Sequence, residues 1–128
     1  MQLGEKRTGE EWLVIPIASD EFLELVAAKF RMLADPTRLA ILRCLMEQGE
    51  LNVSQIVAAS GRSTANVSKH LKHLSEARMV VRRKEGSFVL YRFEDPVLKK
   101  ICELVCDSLR RELENEVRRN KQLLKKNG

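Results

Sequence analysis

A mostly α, α+β fold, with a helix-turn-helix followed by a two-stranded β-hairpin and a long C-terminal helix, is predicted from three observations. Apolar residues recur at helical spacing through most of the 128 residues. The segment from Arg62 to Ala77 sets an apolar stripe against a polar, basic front. Directly after it, two β-rich runs flank Glu85-Gly86.

The elements follow in order. Residues 1–18 open with a charged, Gly-containing run and continue as Trp-Leu-Val-Ile-Pro-Ile, which reads as an extended arm because Pro16 blocks a helix. Ser19 is the N-cap of a first helix, Asp20 to about Ala34, whose Phe22, Leu25, Val26, Phe30 and Leu33 give an apolar face. Asp35-Pro36 is a strong helix start, since the N–H that Pro lacks is unpaired at N1 anyway. The second helix, Thr37 to Gln48, is expected to bury Leu39, Ile41, Leu42, Leu45 and Met46 and to stop at Gly49. Asn52 opens a short third helix, with Gln55 completing a capping box and Val53, Ile56 and Val57 inward.

Ser60-Gly61-Arg62 is a tight turn, and Ser63 caps a fourth helix to Ala77. Val67, Leu71 and Leu74 form its apolar stripe, while Arg62, Asn66, Lys69, Lys72 and His73 project from the other side. A short helix, a Gly turn and a second helix with a basic front make a helix-turn-helix, whose second helix enters the DNA major groove. Met79 to Lys84 and Ser87 to Phe93 then form a hairpin with Arg82, Arg83 and Lys84 at its tip, a wing suited to flanking DNA backbone. Asp95-Pro96 starts the last helix, where Leu98, Cys102, Val105, Leu109, Leu113 and Val117 form a long seam. Nothing left in so short a chain covers that seam, so its economical partner is a second copy. The division expected is an arm over 1–18, a DNA-binding and dimerisation domain over 19–112 and a basic helical tail over 113–128.

Charge and composition narrow the function classes. The formal net charge is +5. From Arg62 to Arg92 eight basic residues face only Glu76 and Glu85, so a nucleic-acid partner fits better than a membrane. No run approaches the roughly 20 apolar residues of a spanning helix, and three cysteines without framework spacing argue for reduced thiols, so the expected location is cytoplasmic. An enzyme is not expected: no nucleophile stands at a motif spacing from a general base, no phosphate loop is present, and Asp35 and Asp95 already have capping roles.

The run FRMLADPTRLAILRCL, then ELNVSQIVAASGRSTANVSKHLKHL, then VVRRKEGSFVLYRFEDP closely resembles the ArsR/SmtB family of winged-helix regulators over roughly residues 20–110. The resemblance implies a winged helix-turn-helix and a homodimeric repressor of a palindromic operator, released when a ligand or thiol modification changes the dimer. Its sensory residues transfer poorly. Where arsenic, lead and cadmium sensors of the family carry Cys-Val-Cys, this chain has Asn52-Val53-Ser54, and neutral oxygens do not replace soft thiolates. Of the zinc-sensor set only Asp95 is kept, with Val97, Ser108 and Arg111 at the other positions.

Three thiols remain. Cys102 and Cys106 stand four apart on the last helix, with Cβ atoms about 5 to 6 Å apart, beyond the roughly 3.5 to 4.5 Å of a disulfide. A thiophilic metal or metalloid ion tolerates that gap, whereas the alternative is two small apolar residues in a dimer seam. Cys44 is either a third thiol or a core residue. Family members that sense reactive sulfur carry a cysteine where Arg43 stands here, one register away. His70 is read as a core-edge histidine and His73 as a DNA-facing one. The DNA-binding set is therefore Arg62, Ser63, Thr64, Asn66, Ser68, Lys69, Lys72, His73, Arg82, Arg83 and Lys84. The function expected is an operator-binding repressor released by a thiol-reactive or thiophilic effector, with a winged-helix adaptor for acidic proteins as the alternative.

Overall fold

The computed structural model describes residue 17 and residues 19–127, so the predicted arm lies outside the described residues apart from Ile17. The elements run α1 (Asp20–Leu33), α2 (Pro36–Gln48), α3 (Val53–Ser60), α4 (Thr64–Glu76), β1 (Val80–Glu85), β2 (Phe88–Phe93) and α5 (Pro96–Asn127). This is the winged helix-turn-helix expected from the sequence, ending in a long helix. Each start uses the local chemistry read from the chain. Ser19 Oγ accepts from Phe22 N–H at 3.2 Å, and the Asp35 carboxylate accepts from Arg38 N–H at 3.0 Å. Asn52 and Gln55 exchange side-chain to backbone bonds at 2.8 and 2.9 Å, a complete capping box. Asp95 Oδ1 accepts from both Val97 and Leu98 N–H at 3.1 Å, so it caps α5 with Pro96 in the first turn. Arg38 reaches back to the C-terminal carbonyls of α1, donating to Met32 O at 3.0 Å and Arg31 O at 3.2 Å.

One core holds the helix-turn-helix and the base of the hairpin together. Ile41, Leu42, Cys44 and Leu45 of α2 pack with Leu51, with Ile56 of α3, with Val67, Leu71 and Leu74 of α4, and with Met79, Val80 and Leu98. The hairpin is antiparallel, pairing Val80 with Phe93 through to Glu85 with Phe88. Its two-residue loop begins at Gly86, whose φ of 61° is unfavourable for a side chain. Leu51 adds a bridge on the free side of β2, exchanging bonds of 3.0 and 2.8 Å with Tyr91. The segment before α3 therefore anchors the wing.

Two details of burial differ from the expectation. Leu39 is 40% exposed, and Met46 only half-buried. Cys44 takes the core position that was one of its two readings, because α2 is covered by α3, α4 and β2 together. Helix α1 buries no residue at all, leaving Leu23, Leu25, Val26 and Phe30 exposed, and it meets the body through Met32, Leu33 and a Lys29–Asp95 ion pair of 3.3 Å. Its apolar face points away from the protomer's core. Helix α5 spans 32 residues, about 48 Å at 1.5 Å per residue, yet only Leu98 and Cys102 are buried. Val105, Leu109, Leu113 and Val117 remain 52 to 60% exposed. Among the described residues no helix is long and apolar enough to cross a membrane.

Candidate nucleic-acid interface

Helix α4 is held by its back and presents its front. Val67, Leu71 and Leu74 are fully buried, whereas Ser63, Thr64, Asn66, Ser68, Lys69, Lys72 and His73 are all exposed. The helix starts cleanly: Gly61, at φ 70° in the left-handed region, closes α3, and Ser63 Oγ accepts from Asn66 N–H at 3.2 Å. That leaves the Ser63 hydroxyl hydrogen and the Thr64 hydroxyl available beside the positive helix N-terminus, whose first turn holds no acidic residue. Lys69 and Lys72 have no ion-pair partner among the described residues.

His70 and His73 differ in burial. His70 is half-buried with its Nδ1 enclosed and unpartnered among the described residues, and burial pulls its pKa down. His73 is exposed, with its ring 6.2 Å from that of His70 in a T-shaped contact.

The wing divides its cations between two faces. Side chains alternate along β1, so Arg82 and Lys84 share one face and Arg83 points from the other. Arg82 and Lys84 are exposed and free of ion pairs among the described residues. Arg83 is already engaged. Its Nε donates to both Glu50 oxygens at 3.0 and 2.8 Å, and its terminal nitrogen to Glu50 at 2.8 Å and Glu85 at 3.0 Å. Arg92 joins from β2, 3.7 Å from Glu50 and 2.8 Å from Glu94. The Arg83 guanidinium holds the Glu50 carboxyl below the usual carboxylate range, and the same contacts raise the pKa of Arg83. Glu50 was not among the residues singled out from the sequence.

Arg62 also stands apart from the α4 front. It is half-buried, its Nε is enclosed without a hydrogen-bond partner among the described residues, and its side chain lines a cavity of about 290 Å³ between α2, the α3–α4 turn and α5. The other walls are Pro36, Leu39, Ala40, Arg43, Met46, Cys102 and Cys106. The structure thus brings the α5 thiols together on one cavity and leaves Cys44 out of it. Cys102 is buried and Cys106 exposed, and burial, with Cys106 adding to it, pushes the Cys102 thiol up. Burial likewise raises the Cys44 thiol, within the core. Among the described residues no three His, Cys, Asp or Glu side chains are grouped to hold a metal ion.

Comparisons with known proteins converge on one group. Residues 35–81 match the model of a family described as bacterial regulatory protein, arsR family. The chain is 35% identical over 85 residues to the arsenical resistance operon repressor of Escherichia coli, covering 66% of this chain and 73% of that protein. It is 35% identical over 86 residues to the HTH-type transcriptional regulator KmtR of Mycobacterium tuberculosis, covering 67% of this chain and 65% of that protein. Among solved structures, the AntR antimony-specific transcriptional repressor superposes with a TM-score of 0.70 at 26% identity, covering 85% of this chain and 96% of that one. A homodimeric winged helix-turn-helix DNA-binding domain from Mycobacterium bovis does so at 0.65 and 32%, covering 76% and 92%.

Proposed function

The chain belongs to the arsR family of bacterial regulatory proteins, DNA-binding transcriptional regulators rather than enzymes, and from that premise we propose that it is a homodimeric repressor released from its operator by a thiol-reactive or thiophilic effector. The observation that carries the reading is the front of α4: polar and cationic, exposed along its length, with Lys69 and Lys72 free of carboxylates among the described residues. In the complex α4 lies in the major groove. Asn66 reads a base edge, since Asn pairs bidentately with adenine, and Ser63, Thr64 and Ser68 hold phosphates at the helix N-terminus. Lys69, Lys72 and His73 contact the backbone alongside, and Arg82 and Lys84 of the wing contact the flank. Arg83 supports the wing from its other face.

Dimerisation follows from the exposed apolar surfaces. Leu23, Leu25, Val26 and Phe30 of α1 and Val105, Leu109, Leu113 and Val117 of α5 are too many apolar side chains to leave in water, and a second copy offers the complementary pair of helices. The homodimeric neighbour supports this arrangement. Two copies then place two α4 helices on successive major grooves. On the effector side, Cys102 and Cys106 share a cavity and a helix turn, and relatives named for arsenical resistance and antimony specificity support a thiophilic ligand there.

A mobility-shift titration with DNA from upstream of the protein's own gene tests the reading. A saturable shift by the wild-type dimer is expected, and Asn66→Ala should lose discrimination between that duplex and scrambled DNA. Absence of a shift at low salt by folded dimer would exclude the DNA-binding role.

A further inference from the structure

The formal net charge of the chain is +5, and residues 118–128 hold five cationic side chains and no acidic one, so everything before them sums to zero. The basic surplus of α4 and the wing is offset within the body, and the surplus of the whole chain resides at the end of α5. Resting on the DNA-binding reading above, we propose that Arg118, Arg119, Lys121, Lys125 and Lys126 form a second DNA-binding surface, which holds the phosphate backbone outside the half-sites and reads no sequence.

Helix α5 carries these cations clear of the protomer. After Glu103 every residue of the helix through Asn127 is exposed, so its C-terminal part stands out as a rod. At 1.5 Å per residue, Arg118 lies about 24 Å and Lys126 about 36 Å beyond Cys102, the last buried residue of α5. Cys102 shares a cavity with Arg62, which directly precedes the N-cap of α4, so the distance is measured from the start of the reading helix. It is comparable to the roughly 34 Å of one duplex turn, and the phosphates within reach of the tail are therefore not those that α4 occupies.

The charges are available to a polyanion. Among the described residues none of the five has an ion-pair partner, although Glu114 stands one turn before Arg118. At about 100° per residue the five fall within an arc of roughly 160°, and Leu113, Val117 and Leu124 lie on the remaining side of the helix. A second copy packed on that apolar stripe leaves the cations outward and uncompensated. An anionic bilayer would use the same cations only with the stripe free to enter it, and the dimer assigns the stripe to the second copy. Contacts to phosphate add affinity through release of counterions, and the choice of operator stays with α4.

The experiment uses the full-length dimer and two labelled duplexes from upstream of its gene, with the half-sites located by footprinting. One is trimmed to the half-sites; the other carries about 20 further base pairs on each side, roughly two duplex turns. Fluorescence anisotropy between about 50 and 200 mM salt gives the slope of log K against log salt on each. On the short duplex α4 and the wing alone set the slope, because the tail lies well beyond the screening length of about 10 Å at 0.1 M salt. Wild type should show a slope steeper by about 2 or more on the long duplex, at least one phosphate per tail, and scrambling the added flanks should leave it unchanged.

Arg118→Gln/Arg119→Gln/Lys121→Gln/Lys125→Gln/Lys126→Gln keeps the apolar stripe and uses a residue suited to helices. This variant should bind the short duplex within about twofold of wild type, bind the long one about tenfold or more weakly at 0.1 M salt, and give the same slope on both. Equal wild-type slopes on the two duplexes overturn the proposal and leave the repressor reading in place. A variant that weakens both duplexes alike, or that sediments as a monomer where wild type is a dimer, overturns it too, since the cations then serve the reading heads or the seam. If wild type does not prefer its upstream DNA, the repressor reading fails by itself; equal affinities of wild type and variant for a long scrambled duplex at about 50 mM salt then overturn the tail surface separately. Binding to phosphatidylserine vesicles that the variant loses, with DNA slopes unchanged, overturns it in favour of a membrane.

Discussion

Replacing Glu50 by Gln tests how the wing distributes its charge. Among the described residues Lys69, Lys72, Arg82 and Lys84 have no carboxylate partner, whereas Arg83 is tied to Glu50 at 2.8 to 3.0 Å and to Glu85 at 3.0 Å. Each phosphate neutralised contributes about −0.9 to the slope of log K against log salt, so four cations per protomer set a ceiling near −7 for the dimer. Lys69→Ala should flatten that slope by about 0.9 per protomer, close to 2 for the dimer. Arg83→Ala should change it by less than half as much, because its charge is already compensated. Glu50→Gln should steepen it by up to about 0.9 per protomer, by releasing Arg83, and in part Arg92, toward the phosphates. The assay is anisotropy of a labelled duplex between about 50 and 200 mM salt. Should Arg83→Ala flatten the slope as much as Lys69→Ala, Arg83 exchanges Glu50 for a phosphate on binding, and the two-faced description of the wing is wrong.

Three further outcomes follow from the packing. Leu109→Glu places a charge in the exposed seam and should give a monomer by sedimentation, with operator affinity down by about 10²-fold through loss of the second contact; a persistent dimer would move the interface elsewhere. Leu71→Ala should cost about 2 to 5 kcal/mol in urea unfolding, since the side chain is 1% exposed, whereas Leu39→Ala at 40% exposure should cost under about 1.5 kcal/mol; similar costs would contradict the burial. The hydrogen bond from Arg38 N–H lowers the Asp35 pKa in the folded state, so the stability it contributes is present above the unfolded value near about 4 and is lost as pH falls through the folded value. Asp35→Ala should therefore cost about 1 kcal/mol at neutral pH and make the acid limb of the stability profile shallower, which thermal melts between about pH 2 and 7 would detect.

What could be read from the chain was what is local. Ser19, Asp35-Pro36, Asn52 with Gln55, Ser63 and Asp95-Pro96 mark their helix starts to within a residue, because a cap is a bond between neighbours. Burial of α4 was legible too, since Val67, Leu71 and Leu74 fall on one stripe that the structure encloses. Arg62 was misplaced by extending the phase of α4 backwards. Four, seven and eleven residues from Asn66, Lys69 and His73, it falls on their face only if the helix continues, but Ser63 is extended at φ −70°, ψ 154°, which resets the direction of everything before it. The tip cations were grouped although strand alternation already separates Arg83 from Arg82 and Lys84. Its partner Glu50 lies thirty-three residues earlier, next to the Leu51–Tyr91 bridge that no local pattern announces.

The apolar faces of α1 and α5 show a different limit. A stripe records that an apolar partner exists, not which chain supplies it, so Leu25, Val26 and Phe30 read like core residues while none is buried in the protomer. In α5 one seam changes surroundings along its length: Leu98 and Cys102 are buried against the protomer's own body, and from Val105 onward the same stripe faces outward. Cys102 and Cys106 sit across that change, one buried and one exposed, one turn apart. A ligand bridging them would act where the packing of the reading domain meets the surface available to a second copy. Sensing there requires no long pathway, because a small shift of α5 at this turn alters both the cavity wall against Arg62 and the start of the exposed seam.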